Sequence, residues 1–100
     1  MTAADARGAC AAIIVSYGSG PELGRALQAY EAAGIPAIVV ENGPRPDADV
    51  ASRVWRYLHG QGNLGYGRGI DHGFRQVASN TGGPEWVICA NADEAPGVPQ

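Results

Sequence analysis

Ala12-Ile13-Ile14-Val15-Ser16, then Tyr17-Gly18-Ser19-Gly20, then Pro21-Glu22-Leu23 is the stretch from which the rest of the chain can be read. Two isoleucines and a valine in an uncharged run give the unbroken apolar pattern of a strand covered on both faces. A strand with one wet face would alternate instead. Glycines then turn the chain. Ser19 is placed to cap a helix, Pro21 sits in its first turn, and Glu22 completes a capping box. Leu23, Ala26, Leu27, Tyr30 and Ala33 recur at helical spacing, and Gly34 is placed to end the helix. A doubly covered strand running directly into an amphipathic helix is the first half of a parallel crossover unit.

The same alternation continues outward. Residues 36–40 form a second buried strand, and Asn42, Gly43, Pro44 and Pro46 break the chain after it. Asp47 starts a short helix reaching Arg53, and residues 54–58 form a third strand with Trp55 and Tyr57 on the face opposite Arg56. After a loop over 59–63, a helix is predicted over 66–79 with Ile70, Phe74, Val77 and Ala78 inward. Its Gly67, Gly69 and Gly73 each cost about 1 kcal/mol relative to Ala in a helix interior, so close backbone approach is the expected reason for them. A loop over 80–84 leads to a fourth strand over 86–90. The sum is an α/β unit: a Rossmann-like, mostly parallel four-stranded sheet of order 3-2-1-4, with right-handed crossovers and helices on both faces. Residues 1–11 are expected to be a flexible N-terminus, 12–96 the folded unit and 97–100 a tail.

Composition narrows the function. In 100 residues, 45% of them hydrophobic, there is room for one small domain and no second. Ten Asp and Glu against seven Arg, with no Lys, give a net charge of −3. That balance offers no electrostatic footprint for nucleic acid or an anionic membrane. A bound phosphate must therefore be held locally, by backbone amides, a helix terminus, an arginine or a metal. The N-terminal residues lack a basic stretch followed by an apolar one, and no apolar run approaches the ~20 residues of a membrane span. Cys10 and Cys89 fall at opposite ends of their strands, so both are expected to be free, buried thiols, and the protein cytoplasmic.

In an open parallel sheet, ligands bind beyond the carboxyl ends of the strands, where the strand order reverses. Four polar or glycine-rich segments project there: 17–20, 41–43, 60–69 and 91–93. Gly18, Gly20 and Gly24, with Glu41 about twenty residues on, also approximate a dinucleotide fingerprint. The glycine spacing departs from it by one residue, and Glu22 stands where a phosphate would approach.

Taken together, the blocks Ile14-Val-Ser-Tyr-Gly-Ser, Val39-Val-Glu-Asn-Gly, Gly62-Asn-Leu-Gly-Tyr-Gly and Ala90-Asn-Ala-Asp lie in the order and spacing of another pattern. The chain resembles the family 2 glycosyltransferases of GT-A fold, including their rhamnosyltransferase-like branch, over about residues 12–96. The resemblance implies the nucleotide-sugar-binding N-terminal half of such an enzyme, which transfers a sugar from a nucleoside-diphosphate sugar to an acceptor hydroxyl on a glycan or lipid-linked acceptor.

By position, the resemblance assigns Ser16 and Tyr17 to the nucleotide side and Glu41 to the base or ribose. Asn63, Gly65, Gly67 and Arg68 fall along the nucleotide and diphosphate. Asn91 and Asp93 match the D-x-D-like motif, in which Asp93 would hold Mg²⁺ or Mn²⁺ bridging the donor phosphates. The chain departs from the family at Glu41, where Asp is usual, at Gly18 and Asp71, where Asn is common, and at Pro44, where Ser is usual. The family's acceptor half supplies the base that inversion needs, and the chain ends soon after Asp93. A donor-binding fragment without turnover is therefore a second expectation, and a dinucleotide-binding domain a third. An acceptor half would also cover the outer edge of the fourth strand. Left unpaired, that edge is expected to drive homo-oligomer formation. The resemblance also implies that a full-length member could lie at the membrane periphery.

Several of these residues also have plainer readings. Glu41 can be a solvated strand end, Asp93 a turn cap, Asn63 a loop stabiliser through its own backbone, and Arg68 part of a wet helix face. His59 and His72 have no metal-spacing partner, while Trp55, Tyr57 and Trp86 read as core or sheet-face packing.

Overall fold

The computed structural model describes residues 10–18, 20–78 and 84–92. In chain order these form β1 (Cys10–Ser16), α1 (Pro21–Ala32), β2 (Ala37–Glu41), α2 (Ala48–Ala51), β3 (Arg56–His59), α3 (Gly65–Ala78) and β4 (Trp86–Asn91). All four strands are parallel, in the order β3-β2-β1-β4. Class, topology and strand order agree with the reading of the sequence. β1 begins two residues earlier than expected, so Cys10 and Ala11 belong to the sheet and not to a flexible leader. Residues 1–9 and 93–100, including the expected tail, lie outside the described residues.

The continuous apolar run of β1 is explained by what covers it. Ala12 and Ile14 pack with Leu23, Ala26, Leu27 and Tyr30 of α1 and with Val39. Ile13 and Val15 point the other way and pack with Ile38, Val40 and Val77. The sheet is thus sandwiched between α1 and α3. Each fully buried Ile or Leu contributes about 1.5–3 kcal/mol from surface removed from water.

The two long helices depart from expectation at their ends and rims. Gly20, at φ 54, precedes α1, which has no side-chain cap bond. Ser19, on which the expected capping box rests, lies outside the described residues. At the other end Gly34, at φ 71, closes a Schellman motif in which its N–H reaches Glu31 O and that of Ile35 reaches Tyr30 O. This turn leaves Ala33 exposed instead of inward. α3 lies on β1 and β2 through Gly69, Gly73 and Val77, and Phe74 is 51% exposed, not part of the core. The side chain of Ala78, and Ser79, lie outside the described residues. Gly67 has no atom of the described residues within 4 Å of where a β-carbon would stand, so close approach accounts for two of the three glycines for which it was expected.

β3 begins at Arg56, two residues later than expected. Residues 54 and 55 lie outside the strand, and Trp55 packs against the cluster that holds Ile13 and Ile38 while Tyr57 packs against the one that holds Ile14 and Val39. These two rings lie on opposite faces, correcting the expectation that they share one. β4 is an edge strand, which leaves Trp86 71% exposed and Cys89 exposed. Both were expected inside. The two cysteines are free, as expected, with Cys10 half-buried. Among the described residues no helix is long and apolar enough to cross a membrane.

Candidate functional site

The strand order reverses between β1 and β4: β2 and β3 lie to one side of β1, and β4 to the other. A cleft of about 530 Å³ opens at the carboxyl ends of these strands, within the size of ordinary ligand sites. The end of β1 contributes Val15, Ser16 and Tyr17, the start of α1 contributes Glu22, and β2 is followed by Asn42. The glycine loop adds Asn63, Gly65 and Tyr66, and the end of β4 adds Asn91 and Ala92. Four strand-end segments that are distant in sequence thus meet, as the topology requires.

Each wall is built by local bonds. Asn63 Oδ1 accepts from the Gly65 N–H at 3.0 Å, an Asx turn that sets the start of α3. Gly65 itself has φ 75, a conformation that favours glycine. Asn42, 4% exposed, donates from Nδ2 to Gly65 O at 3.1 Å and so ties the β2 loop to the first turn of α3. That carbonyl only accepts, which fixes the orientation of the amide. Asn42 Oδ1 is buried without a hydrogen-bond partner among the described residues, a situation that costs about 1–3 kcal/mol. Tyr17 and Tyr66, 61% and 43% exposed, present their rings at the cleft.

Glu41 lies behind the cleft and not in it. At 4% exposure it is the buried charged residue among those described. Its Oε1 accepts from Ser16 Oγ at 3.0 Å, and its Oε2 from the Gly18 N–H at 2.9 Å and the Gly43 N–H at 2.8 Å. It is therefore no solvated strand end. On β3, the His59 Nε2–H donates to Gly43 O at 3.1 Å, and the Tyr57 hydroxyl accepts from the Asp47 N–H at 2.8 Å. The two rings stack, 6.5 Å apart at 19°. Burial pushes the Tyr57 phenol above its ordinary value. The Asp47 N–H bond opposes the shift, and the charges of Glu41 and Asp47 add to it. β3 thereby holds the loop whose first residues shape the cleft.

Of the residues singled out from sequence, Ser16, Tyr17, Asn63, Gly65 and Asn91 come together at the cleft, Ser16 only through a floor position that is 1% exposed. Gly67 and Arg68 are exposed on the first turn of α3 and do not line it. Asp93 lies outside the described residues, directly after Ala92. Sequence reasoning did not single out Asn42, although an Asn-Gly pair closing a buried strand at the sheet's carboxyl edge was the available signal. Among the described residues no three His, Cys, Asp or Glu side chains gather to hold a metal ion. A second hollow, of about 370 Å³, lies at the opposite end of the sheet between Leu27, Tyr30, Ile35 and Trp55. Its charged pair, Arg53 and Glu31, is already joined at 3.0 Å, and the loops that line it enter β2 and β3 instead of leaving the strands' carboxyl ends.

The chain gives no significant match to any protein-family model, curated protein or solved structure.

Proposed function

We propose that the cleft binds a nucleoside-diphosphate sugar together with Mg²⁺ or Mn²⁺, and that the chain is the donor-binding part of a glycosyltransferase resembling family 2. The observation that supports this reading best is the convergence of the four family-like blocks on one cleft at the reversal of strand order. Tyr17 and Tyr66 supply faces for a base. Asn63 and Asn91 supply neutral hydrogen-bonding groups for a ribose and diphosphate, and the first turn of α3 favours negative charge.

Glu22 at the rim makes the cleft unfavourable for a bare diphosphate, so a cation is needed beside the phosphates. An ion there would be held by Asp93 and the ligand's own oxygens, a donor set suited to a hard divalent cation. When bound, it would supply Lewis-acid stabilisation of the departing nucleoside diphosphate. The sugar would pass to an acceptor hydroxyl on a glycan or lipid-linked acceptor. Binding without turnover is the alternative within the same lineage.

The test is calorimetric titration of UDP, dTDP, GDP and NAD into the chain, with and without Mn²⁺. Binding of one nucleoside diphosphate that requires the metal and is lost in Asp93→Ala is the expected result. Turnover of the matching sugar donor with simple acceptors then separates an enzyme from a binding module. A second reading, a dinucleotide site, draws on Gly18 and Gly20, which open α1 with φ 58 and 54. Against it, the glycine spacing departs from the fingerprint by one residue, while the occupation of both Glu41 oxygens by Ser16, Gly18 and Gly43 weighs equally on the ribose contact that either reading gives this residue. NAD binding that ignores metal and is lost in Gly20→Val would establish that reading instead.

A further inference from the structure

The geometry points to Glu41 as a positioning residue: it clamps the loops after β1 and β2 into the shape of the cleft and does not itself read the ligand. Three donors from two loops converge on one carboxylate, the Ser16 hydroxyl and Gly18 amide from the first and the Gly43 amide from the second. With those bonds made and the group 4% exposed, little of the carboxylate is left to face the cleft. The clamp is seated on bare backbone. A β-carbon on Gly43 would stand 2.8 Å from Glu41 Oε2, closer than β-carbons come, and 3.1 Å from Gly18 N, tighter than most. From the other side His59 holds the Gly43 carbonyl, so this residue is gripped at both its N–H and its C=O. Asn42, between Glu41 and Gly43, thereby has its backbone fixed and its side chain directed at Gly65.

Side-chain length decides between a clamp and a reader. Aspartate is shorter by one carbon–carbon bond, about 1.5 Å. Amides now at 2.8 and 2.9 Å from the carboxylate would then lie beyond hydrogen-bond range. Glutamine keeps the length. Its Oε1 can accept from both glycine amides while its Nε2 donates to Ser16 Oγ, with only the charge assistance lost. A clamp therefore tolerates Glu41→Gln better than Glu41→Asp. A carboxylate that contacts the ligand directly tolerates the reverse.

The experiment compares both variants of the full chain. Amide hydrogen exchange at Gly18 and Gly43 is followed by NMR without ligand, and the affinity for UDP with Mn²⁺ is measured by calorimetry. Glu41→Asp is expected to speed exchange at both amides by about tenfold or more, and Glu41→Gln by distinctly less, since bonds to a charged group are worth about 1.5–3 kcal/mol. Affinity is expected to fall in the order wild type, Glu41→Gln, Glu41→Asp. Wild-type exchange rates in Glu41→Asp, or a Glu41→Asp chain that binds UDP as well as wild type while Glu41→Gln does not, would overturn the clamp. Ser16→Ala, which removes one bond of three and no charge, is the guard against global unfolding and should loosen Gly18 and Gly43 only slightly. The affinity arm rests on the nucleotide-sugar reading of the cleft. If wild type binds no nucleotide, that reading fails, while the exchange arm still decides whether Glu41 holds the two loops.

Discussion

Gly73 of α3 stands so close to Ile13 of β1 that a β-carbon on it would meet Ile13 Cγ2 at 2.6 Å. Alanine there gains about 1 kcal/mol of helix propensity but forces a packed isoleucine to move, which costs about 1–3 kcal/mol. Gly73→Ala is therefore expected to destabilise the chain. Gly67→Ala, with open space around it, is expected to stabilise it by about 0.5–1 kcal/mol. Urea unfolding of the two variants should move in opposite directions. Equal shifts of one sign would mean that α3 is not seated on β1 through its glycines.

The exposed rings of Tyr17 and Tyr66 flank the cleft, and neither is needed to fill the core. Replacing either by Ala should leave stability within about 0.5 kcal/mol of wild type. Nucleotide affinity should fall by about 1–3 kcal/mol if a base stacks on the ring. Thermal melting and calorimetry on the same samples check the two halves. Lost stability with unchanged affinity would assign the rings to the fold.

Tyr57 gives the chain an alkaline limit. Its phenol titrates above the ordinary value of 10.0 in the folded chain, mainly through burial. Between the unfolded and folded values the folded chain holds the proton more often, so stability falls as pH rises. The contribution is complete below about pH 10 and is lost as pH climbs through the raised folded value. Tyr57→Phe should flatten that part of a stability-versus-pH curve while weakening the chain at neutral pH, because the Asp47 N–H loses its acceptor.

β4 carries no charged residue along Trp-Val-Ile-Cys-Ala-Asn, and it stands at the outer edge of the sheet. An edge without charges or proline is open to pairing with another strand. Sedimentation of the chain is expected to show concentration-dependent self-association. Trp86→Lys, at a site already 71% exposed, should reduce it without unfolding the chain. A monomer at all concentrations in the wild type would remove the edge as an interface.

How far the sequence could be read depended on what each residue's neighbours were. The doubly covered strands at Ile13–Ile14 and Ile38–Val39 were legible because burial on both faces leaves an unbroken apolar run. Hydropathy does not distinguish a central strand from an edge strand, which is why Trp86 and Cys89 were expected inside. Phe74 fits the helical period of α3, but Gly73 beside it is the residue that meets β1. The position of Glu41 at the end of β2 was legible. Its role was not, because two of its three partners are backbone amides of glycines, which leave no side-chain signal. The convergence of the Ser16, Asn63 and Asn91 segments was legible from topology alone. That Gly67 and Arg68 turn away depends on how α3 is rotated, which four glycines in one helix leave undetermined at the level of pattern.

The strand order has a consequence for how the chain comes into being. β1 pairs with β2 soon after it is made, but its other partner, β4, is the last strand of the described chain. During synthesis one side of the most apolar strand, with Ile13 and Ile14, must wait until residues 86–91 have left the ribosome. Closing so distant a pair is slow, and the waiting species exposes an open strand. Substitutions in β4 that barely alter the finished fold should therefore show first as a lower yield of soluble chain in the cell.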